Sequence, residues 1–379
     1  MRLVQSRIFI YFLDIIGRLL FWALFLFMPK PSNNKPVLPK KILILELWGM
    51  GDVVMMSCVL GPLRRNYPNA KIALLVKPHA AVILKHNNNI DELIEFDFPW
   101  TKFRHKYRFW QWDWKSLIKI VGELSSRKFD LAICGRGDIR NNILLFFIQA
   151  TRRVGYDFTG GGYFLTDVVD KRSSRKHRIN DWNRILAYLG LDMVNSYPQI
   201  CITKDESNQA DKFIMDQGIK SNDLIIGIHP GARVDTRRWP LDRFASVVKH
   251  LNDKFNVKII IFVSPDGYGE GISGNIIKAK VPLRELIALI NKVSLFICND
   301  SGPMHIATAL NTPVVALYGP TDPQWFGPYG GVHKIVMKEG VKCRPCYDYC
   351  EHDSPFCIEQ ISVDEVMAGV DNKVIDLIS

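Results

Sequence analysis

Residues 294–320 read SLFICNDSGPMHIATALNTPVVALYGP, and the fold turns on how this stretch is read. Leu295, Phe296, Ile297 and Cys298 form a continuous apolar run of the kind found in strands buried on both faces. Asn299, Asp300, Ser301 and Gly302 are turn formers, and Pro303 stands where a first helical residue is favoured. The order is strand, loop, helix, strand. Asp300 and Ser301 are candidate helix caps. The amides around Ser301 and Gly302 are expected to point out of a helix N-terminus at the carboxyl end of a strand, where open α/β sheets bind anions. The same residues also admit an ordinary capped helix with His305 packed in an interior.

The 379 residues suffice for about two domains, and 47% hydrophobic content is enough to bury a core in each. The formal net charge of +11 makes nucleic acid, phospholipid headgroups or a phosphorylated substrate candidate partners. Cys58, Cys134, Cys201 and Cys298 are scattered in apolar segments and read as buried thiols of a reducing compartment.

Residues 8–28 are almost wholly apolar, and Arg7, Asp14 and Arg18 fall on one narrow helical stripe. The run is too long for a secretory signal, has no small-residue cleavage site and carries basic flanks at both ends. Asp14 and Arg18 would be expensive in hydrocarbon, so residues 1–30 are expected to form a membrane-associated helix lying in one leaflet. Residues 31–40 are a linker rich in proline and asparagine.

Residues 41–47 are a second buried-strand run, followed by Trp48-Gly49-Met50-Gly51-Asp52, a helical pattern through Asn66 and a strand over 70–76. Val54 stands where a dinucleotide fingerprint requires its third glycine, which argues against NAD. No Gly-Lys-Ser/Thr occurs, which excludes a P-loop enzyme. Residues 99–115 are dense in Trp, Phe, Arg and Lys; such a segment suits single-stranded nucleic acid or a membrane interface, and the apolar N-terminus favours the interface. Residues 129–134 are another strand, with Gly135-Arg136-Gly137-Asp138-Ile139-Arg140 as the loop at its carboxyl end, and the basic run 171–178 reads as a solvated loop.

Beyond a polar connection at 192–204 the pattern restarts, with a strand over 224–228, the turn His229-Pro230-Gly231-Ala232, a helix start at Trp239-Pro240 and a strand over 257–263. Two Rossmann-like, doubly wound α/β domains are expected, over 41–195 and 196–379, with a cleft between them.

Four motifs, taken in order, carry a family likeness: Gly49-x-Gly51-Asp52, His229-Pro230-Gly231-Ala232, Arg237-Arg238-Trp239-Pro240 and Asp300-Ser301-Gly302-Pro303-Met304-His305. Together they resemble the heptosyltransferases of lipopolysaccharide core biosynthesis, glycosyltransferase family 9, over roughly residues 41–366. That resemblance implies the GT-B fold and an inverting, metal-independent sugar transfer from a nucleotide donor such as ADP-heptose to an anionic, lipid-linked glycan. The N-terminal helix, which lies outside the resemblance, adds the expectation of a location at the cytoplasmic face of the inner membrane, with a membrane surface and no nucleic acid as partner. The resemblance also implies Asp52 as the catalytic base, and Arg237, Arg238, Asp300, Ser301, Gly302, His305, Gly231 and Ala232 as donor-binding residues. Gly51, Arg136 and Arg140 are the acceptor candidates. Arg237 stands where the family commonly has lysine, which keeps the charge and changes its geometry.

The chemistry suits these residue types. Inverting transfer needs a base for the acceptor hydroxyl and a cation or dipole for the departing nucleoside diphosphate. No Asp-x-Asp is present to hold a divalent ion over the phosphates, so Arg237, Arg238 and the helix beginning near Ser301 are the expected electrostatic partners. As a capping residue, Asp52 would serve structure alone. A serine-hydrolase reading of Asp300, Ser301 and His305 fails, because residues so near in sequence cannot readily converge as a triad and no Gly-x-Ser-x-Gly elbow exists. Cys343, Cys346, Cys350 and Cys357, in a loop over 343–357, could bind a structural zinc or form disulfides, and a cytosolic donor favours the zinc. Two other function classes share parts of this pattern: a sugar-nucleotide binding protein without transfer activity, and a nucleic-acid binding protein.

Overall fold

The computed structural model describes residues 38–102, 108–170, 177–194, 196–346 and 350–378. The helix expected over residues 1–30 and most of its linker lie outside these, as does most of the basic run 171–178. Among the described residues no helix is long and apolar enough to cross a membrane. The chain divides into two compact units. The first takes the described residues within 38–81, 87–170 and 179–196; the second takes those within 82–86, 177–178 and 197–378.

The first unit is built on six parallel strands: β1 (Lys41–Glu46), β2 (Lys71–Val76), β3 (Glu92–Glu95), β4 (Leu131–Cys134), β5 (Arg152–Gly155) and β6 (Asp167–Val168). Their order across the sheet is β3-β2-β1-β4-β5-β6. Ile42, Leu43, Ile44 and Leu45 of β1 are all fully buried, as a strand covered by helices on both faces requires. Each such side chain contributes roughly 1.5–3 kcal/mol on burial, which is why an unbroken apolar run is stable only in the middle of the sheet.

The second unit repeats the plan with β7 (Leu224–His229), β8 (Val257–Phe262), β9 (Ile277–Ala279), β10 (Leu295–Asn299), β11 (Val314–Tyr318) and β12 (Lys334–Met337). The order is β12-β11-β10-β7-β8-β9, again all parallel. Read from the other edge it matches the first sheet strand for strand, with β7 in the place of β1 and β10 in that of β4. The winding direction therefore reverses between β1 and β4 in one unit and between β7 and β10 in the other. Such a reversal point, at the carboxyl ends of the strands, is the usual ligand position in open α/β sheets.

Two local expectations are corrected. The helical pattern of residues 50–66 is not one helix: Met50–Met56 and Leu60–Asn66 are joined by a tighter turn over Ser57–Val59. Pro62 has no N–H to give the carbonyl of Cys58 four residues back, so the α-helical ladder is interrupted there. Pro303 is the second helical residue of Gly302–Ala309 rather than the first, a position whose N–H likewise needs no partner within the helix.

Candidate functional site

In the first unit, β1 ends on Glu46, which is 1% exposed and accepts a hydrogen bond from the Trp48 N–H at 3.3 Å. The chain then turns through Gly49 into the helix Met50–Met56. Asp52 lies on the third residue of that helix. Its Oδ2 accepts from the Gly49 N–H at 3.1 Å, so the carboxylate does close the helix N-terminus, from the third helical position and not the cap itself. Its other oxygen, Oδ1, accepts from Arg136 Nη1 at 2.9 Å. The pair is partly open, with side-chain exposures of 20% for Asp52 and 27% for Arg136, so it remains within reach of a ligand.

Arg136 reaches Asp52 from the loop after β4, across the point where the winding reverses. Glycines on either side of it allow that loop. A Cβ on Gly135 would sit 2.5 Å from the ring of Trp182, and Gly137 has a φ of +60°, in the left-handed region. The Arg136 guanidinium also lies 4.4 Å from the centre of the Trp48 ring, a cation–π contact that fixes its second face. Arg140, another acceptor candidate, is 5.9 Å from the same ring but grips Asp138 through two bonds, at 2.8 and 2.6 Å. Burial pushes the Asp138 carboxyl up, and the Arg140 bonds outweigh it and hold the group below the ordinary carboxylate range. Gly51 is the second residue of the helix, beside Asp52.

The second unit carries the corresponding constellation between β7 and β10. Asp300, 3% exposed, follows β10 and accepts from Arg237 Nη1 at 2.9 Å and from the Thr321 hydroxyl at 2.6 Å. Its side chain thus faces Arg237 and Thr321 and does not cap the following helix. Ser301 does occupy the cap position, but its hydroxyl makes no capping bond; the Oγ is buried and has no hydrogen-bond partner. Gly302 opens the helix, and His305 lies one turn in, 7% exposed.

Arg238 is turned to structural use. Its guanidinium donates to the Ala232 carbonyl at 3.0 and 2.8 Å, pairs with Asp235 and Asp266, and stacks 4.6 Å from the Tyr268 ring. The expected pair of phosphate-facing arginines is therefore divided, with Arg237 directed to Asp300 and Arg238 bracing the loop that contains Ala232. Gly231, in the same loop, packs so closely on Ser264 that a Cβ there would lie 1.7 Å from the Ser264 Oγ. His229 is buried beside it, and that burial pushes its pKa down to about 4, which keeps the ring neutral at physiological pH.

Asn299 was not singled out from sequence. Fully buried at the end of β10, it donates from Nδ2 to the Pro230 carbonyl and accepts the Trp239 N–H on Oδ1 at 3.2 Å. One amide thereby ties together all three second-unit motifs. A polar residue closing an apolar strand just before an acidic turn was the available signal.

Cys343, Cys346 and Cys350 are partly buried and Cys357 is buried, in the segment that follows β12. Burial, reinforced by the neighbouring thiols of Cys343, Cys357 and Cys350, pushes the Cys346 thiol up to about 11. Among the described residues no group of three or more His, Cys, Asp or Glu side chains is placed to hold a metal ion.

Comparison with known proteins gives one consistent answer. The model of the family described as glycosyltransferase family 9 (heptosyltransferase) matches residues 117–355. The lipopolysaccharide core heptosyltransferase OpsX of Haemophilus influenzae is 25% identical over 79% of this chain and 84% of its own length. A solved glycosyl transferase family 9 structure from Veillonella parvula superposes with a TM-score of 0.72 at 26% identity, covering 91% of this chain and all of the other. Escherichia coli ADP-heptose lipopolysaccharide heptosyltransferase II gives 0.69 at 20% identity, over 89% of this chain and all of its own, a likeness of fold.

Proposed function

Since the chain belongs to glycosyltransferase family 9, the heptosyltransferases, and has the two Rossmann-like domains of the GT-B fold, we propose that this glycosyltransferase moves a heptose-like sugar from a nucleoside diphosphate donor to an anionic, lipid-linked glycan. Transfer proceeds with inversion, without a catalytic metal, at the cytoplasmic face of the inner membrane. The relatives named as lipopolysaccharide heptosyltransferases support the choice of sugar and acceptor class.

The observation that carries this reading is the partly exposed Asp52–Arg136 pair at the reversal point of the first sheet. An acceptor hydroxyl attacks the anomeric carbon, the bond from that carbon to the diphosphate oxygen breaks, and Asp52 takes the hydroxyl proton. Arg136 holds the carboxylate in one orientation, while Arg140 and Arg136 offer positive charge to an anionic acceptor. In the second unit, the helix beginning at Gly302 and the unpartnered Ser301 hydroxyl suit the leaving diphosphate. Asp300, kept in place by Arg237 and Thr321, suits the donor sugar.

A thermal-shift screen against ADP-, UDP-, GDP- and CDP-sugars tests the donor assignment, because a ligand bound only by the folded chain raises its melting temperature. Stabilisation by an ADP-sugar above the other three is expected. Equal indifference to all four would remove the nucleotide-sugar donor from the account.

A further inference from the structure

The aromatic-rich segment of the first unit separates into a buried and an exposed part. Phe98 and Trp100 lie in the core, and the Trp100 indole donates to the buried Asn141 side chain at 3.3 Å. From there a ladder of rings runs outward: Phe98 to Trp100 at 4.8 Å, Trp100 to Trp112 at 5.8 Å, Trp112 to Trp114 at 5.2 Å. Its outer end is open. Phe109 is 60% exposed, Trp110 67%, Trp114 47% and Ile118 69%.

These four side chains form one face. The Trp114 indole donates to the Phe109 carbonyl at 2.9 Å, Phe109 and Trp110 meet edge to face at 5.1 Å, and Trp114 and Ile118 are four apart on the helix Trp114–Ser126. An adjacent stripe of that helix, about 100° round from Ile118, buries Leu117 and Leu124, so Ile118 stands outside a helix that is itself anchored to the core. Arg108, Lys115 and Lys119 are exposed alongside. The acid among them, Asp113, accepts from the Ser116 N–H and is committed to the helix N-terminus.

We infer that Phe109, Trp110, Trp114 and Ile118 form a membrane-docking face of the first unit, inserting at the interface of an anionic bilayer while Arg108, Lys115 and Lys119 meet its headgroups. Large exposed aromatics on a rigid base, rimmed by cations whose stems can follow apolar surface, match the boundary between acyl chains and headgroups. The positive rim complements a negative leaflet. This rests on the proposed lipid-linked acceptor, since an enzyme that works on a membrane-held substrate gains from being held at that surface. It adds a contact that is separate from residues 1–30.

The test uses the full-length chain with phosphatidylglycerol or phosphatidylcholine vesicles whose acyl chains carry bromine, which quenches tryptophan at short range. The chain has nine tryptophans, so Trp110 is read as the difference between wild type and Trp110→Phe. We expect Trp110→Phe to sediment with phosphatidylglycerol vesicles but to lose a distinct share of the quenched emission. Phe109→Ser/Trp110→Ser should weaken partition to those vesicles about 100-fold, the scale for withdrawing two large apolar side chains from burial. Its turnover on a soluble acceptor analogue should be unchanged. Vesicle binding in which Trp110 contributes nothing to the quenched emission would overturn the inference and leave the sugar-transfer reading intact. So would a double variant that loses self-association but keeps its vesicle affinity, which would assign the face to a second copy. Quenching of Trp110 in a chain that transfers no sugar would sustain the docking face and sink the proposed function instead.

Discussion

Arg136 Nη1 donates to Asp52 Oδ1 at 2.9 Å across the point where the first sheet reverses its winding. Two loops far apart in sequence are thereby joined at the carboxyl ends of adjacent strands, β1 and β4. The pair places a carboxylate that also closes a helix N-terminus, through the Gly49 N–H, so its position is held from two sides. In the proposed role of base, a carboxylate held in this way needs no reorganisation when a substrate arrives. Removing Arg136 frees one side of it. Arg136→Ala is expected to lower kcat by roughly tenfold with donor affinity unchanged, and Arg136→Lys to recover part of the loss. Because the pair is partly solvated, the stability change should stay within about 1 kcal/mol, checked by urea unfolding of both variants. A fall in stability that accounts for the whole loss of activity would make Arg136 a structural residue only.

Asn299→Ala should be the most disruptive single change in the second unit outside the apolar core. It strands the Pro230 carbonyl and the Trp239 N–H in an interior where Asn299 itself is 0% exposed. Leaving such groups unpaired costs about 1–3 kcal/mol each. Calorimetry should show a large drop in Tm, and titration with an ADP-sugar should show a weaker Kd, since the loop at Gly231 and the turn at Arg237 lose their common anchor.

Gly231→Ala tests the close packing of that loop. The added methyl would lie 1.7 Å from Ser264 Oγ and 3.1 Å from the His229 ring, so the loop must shift. Donor binding should fall. Adding Ser264→Gly, which removes the hydroxyl and its Cβ, should restore a measurable part of the affinity; an unimproved double variant would place the defect elsewhere.

Acid should destabilise the chain before its carboxylates titrate. Burial holds the His229 pKa at about 4, below the 6.5 of a free histidine. Between those values the unfolded chain binds a proton that the folded chain refuses, so stability falls as pH drops through the window, by on the order of 3 kcal/mol in all. Above pH 6.5 this group contributes no slope. Unfolding free energies measured from pH 7 to 4 should show the decline in the wild type and a shallower one in His229→Gln.

The central strands were legible because β1, β7, β8 and β10 are dominated by Ile, Leu, Val and Phe, with Gly227 and Lys258 among the interior exceptions, a composition that suits a doubly covered parallel strand. The outer strands were not. β6 has two residues, and β3 reads Glu92, Leu93, Ile94, Glu95, two apolar residues between two acids, so neither offers a run long enough to distinguish from loop. Candidate site residues announced themselves by type and by turn context, as Asp52 and Asp300 did, but their partners could not be read. The Asp52–Arg136 bond spans 84 residues of chain and Arg237–Asp300 spans 63, and no local pattern encodes such pairings. The same limit explains why Arg237 and Arg238, adjacent in sequence, were assigned one role and are found in two environments.

The most direct test is the mass of the acceptor after incubation with the full-length chain, an ADP-heptose donor and a truncated lipopolysaccharide core. Wild type is expected to add one heptose residue and release one ADP for each, and Asp52→Asn to bind donor normally but form product about 100-fold more slowly or worse, the scale of a lost general base. Transfer by Asp52→Asn at the wild-type rate would contradict the assignment of the base. An unchanged acceptor mass with wild-type chain that demonstrably binds the donor would contradict the proposed heptosyl transfer itself.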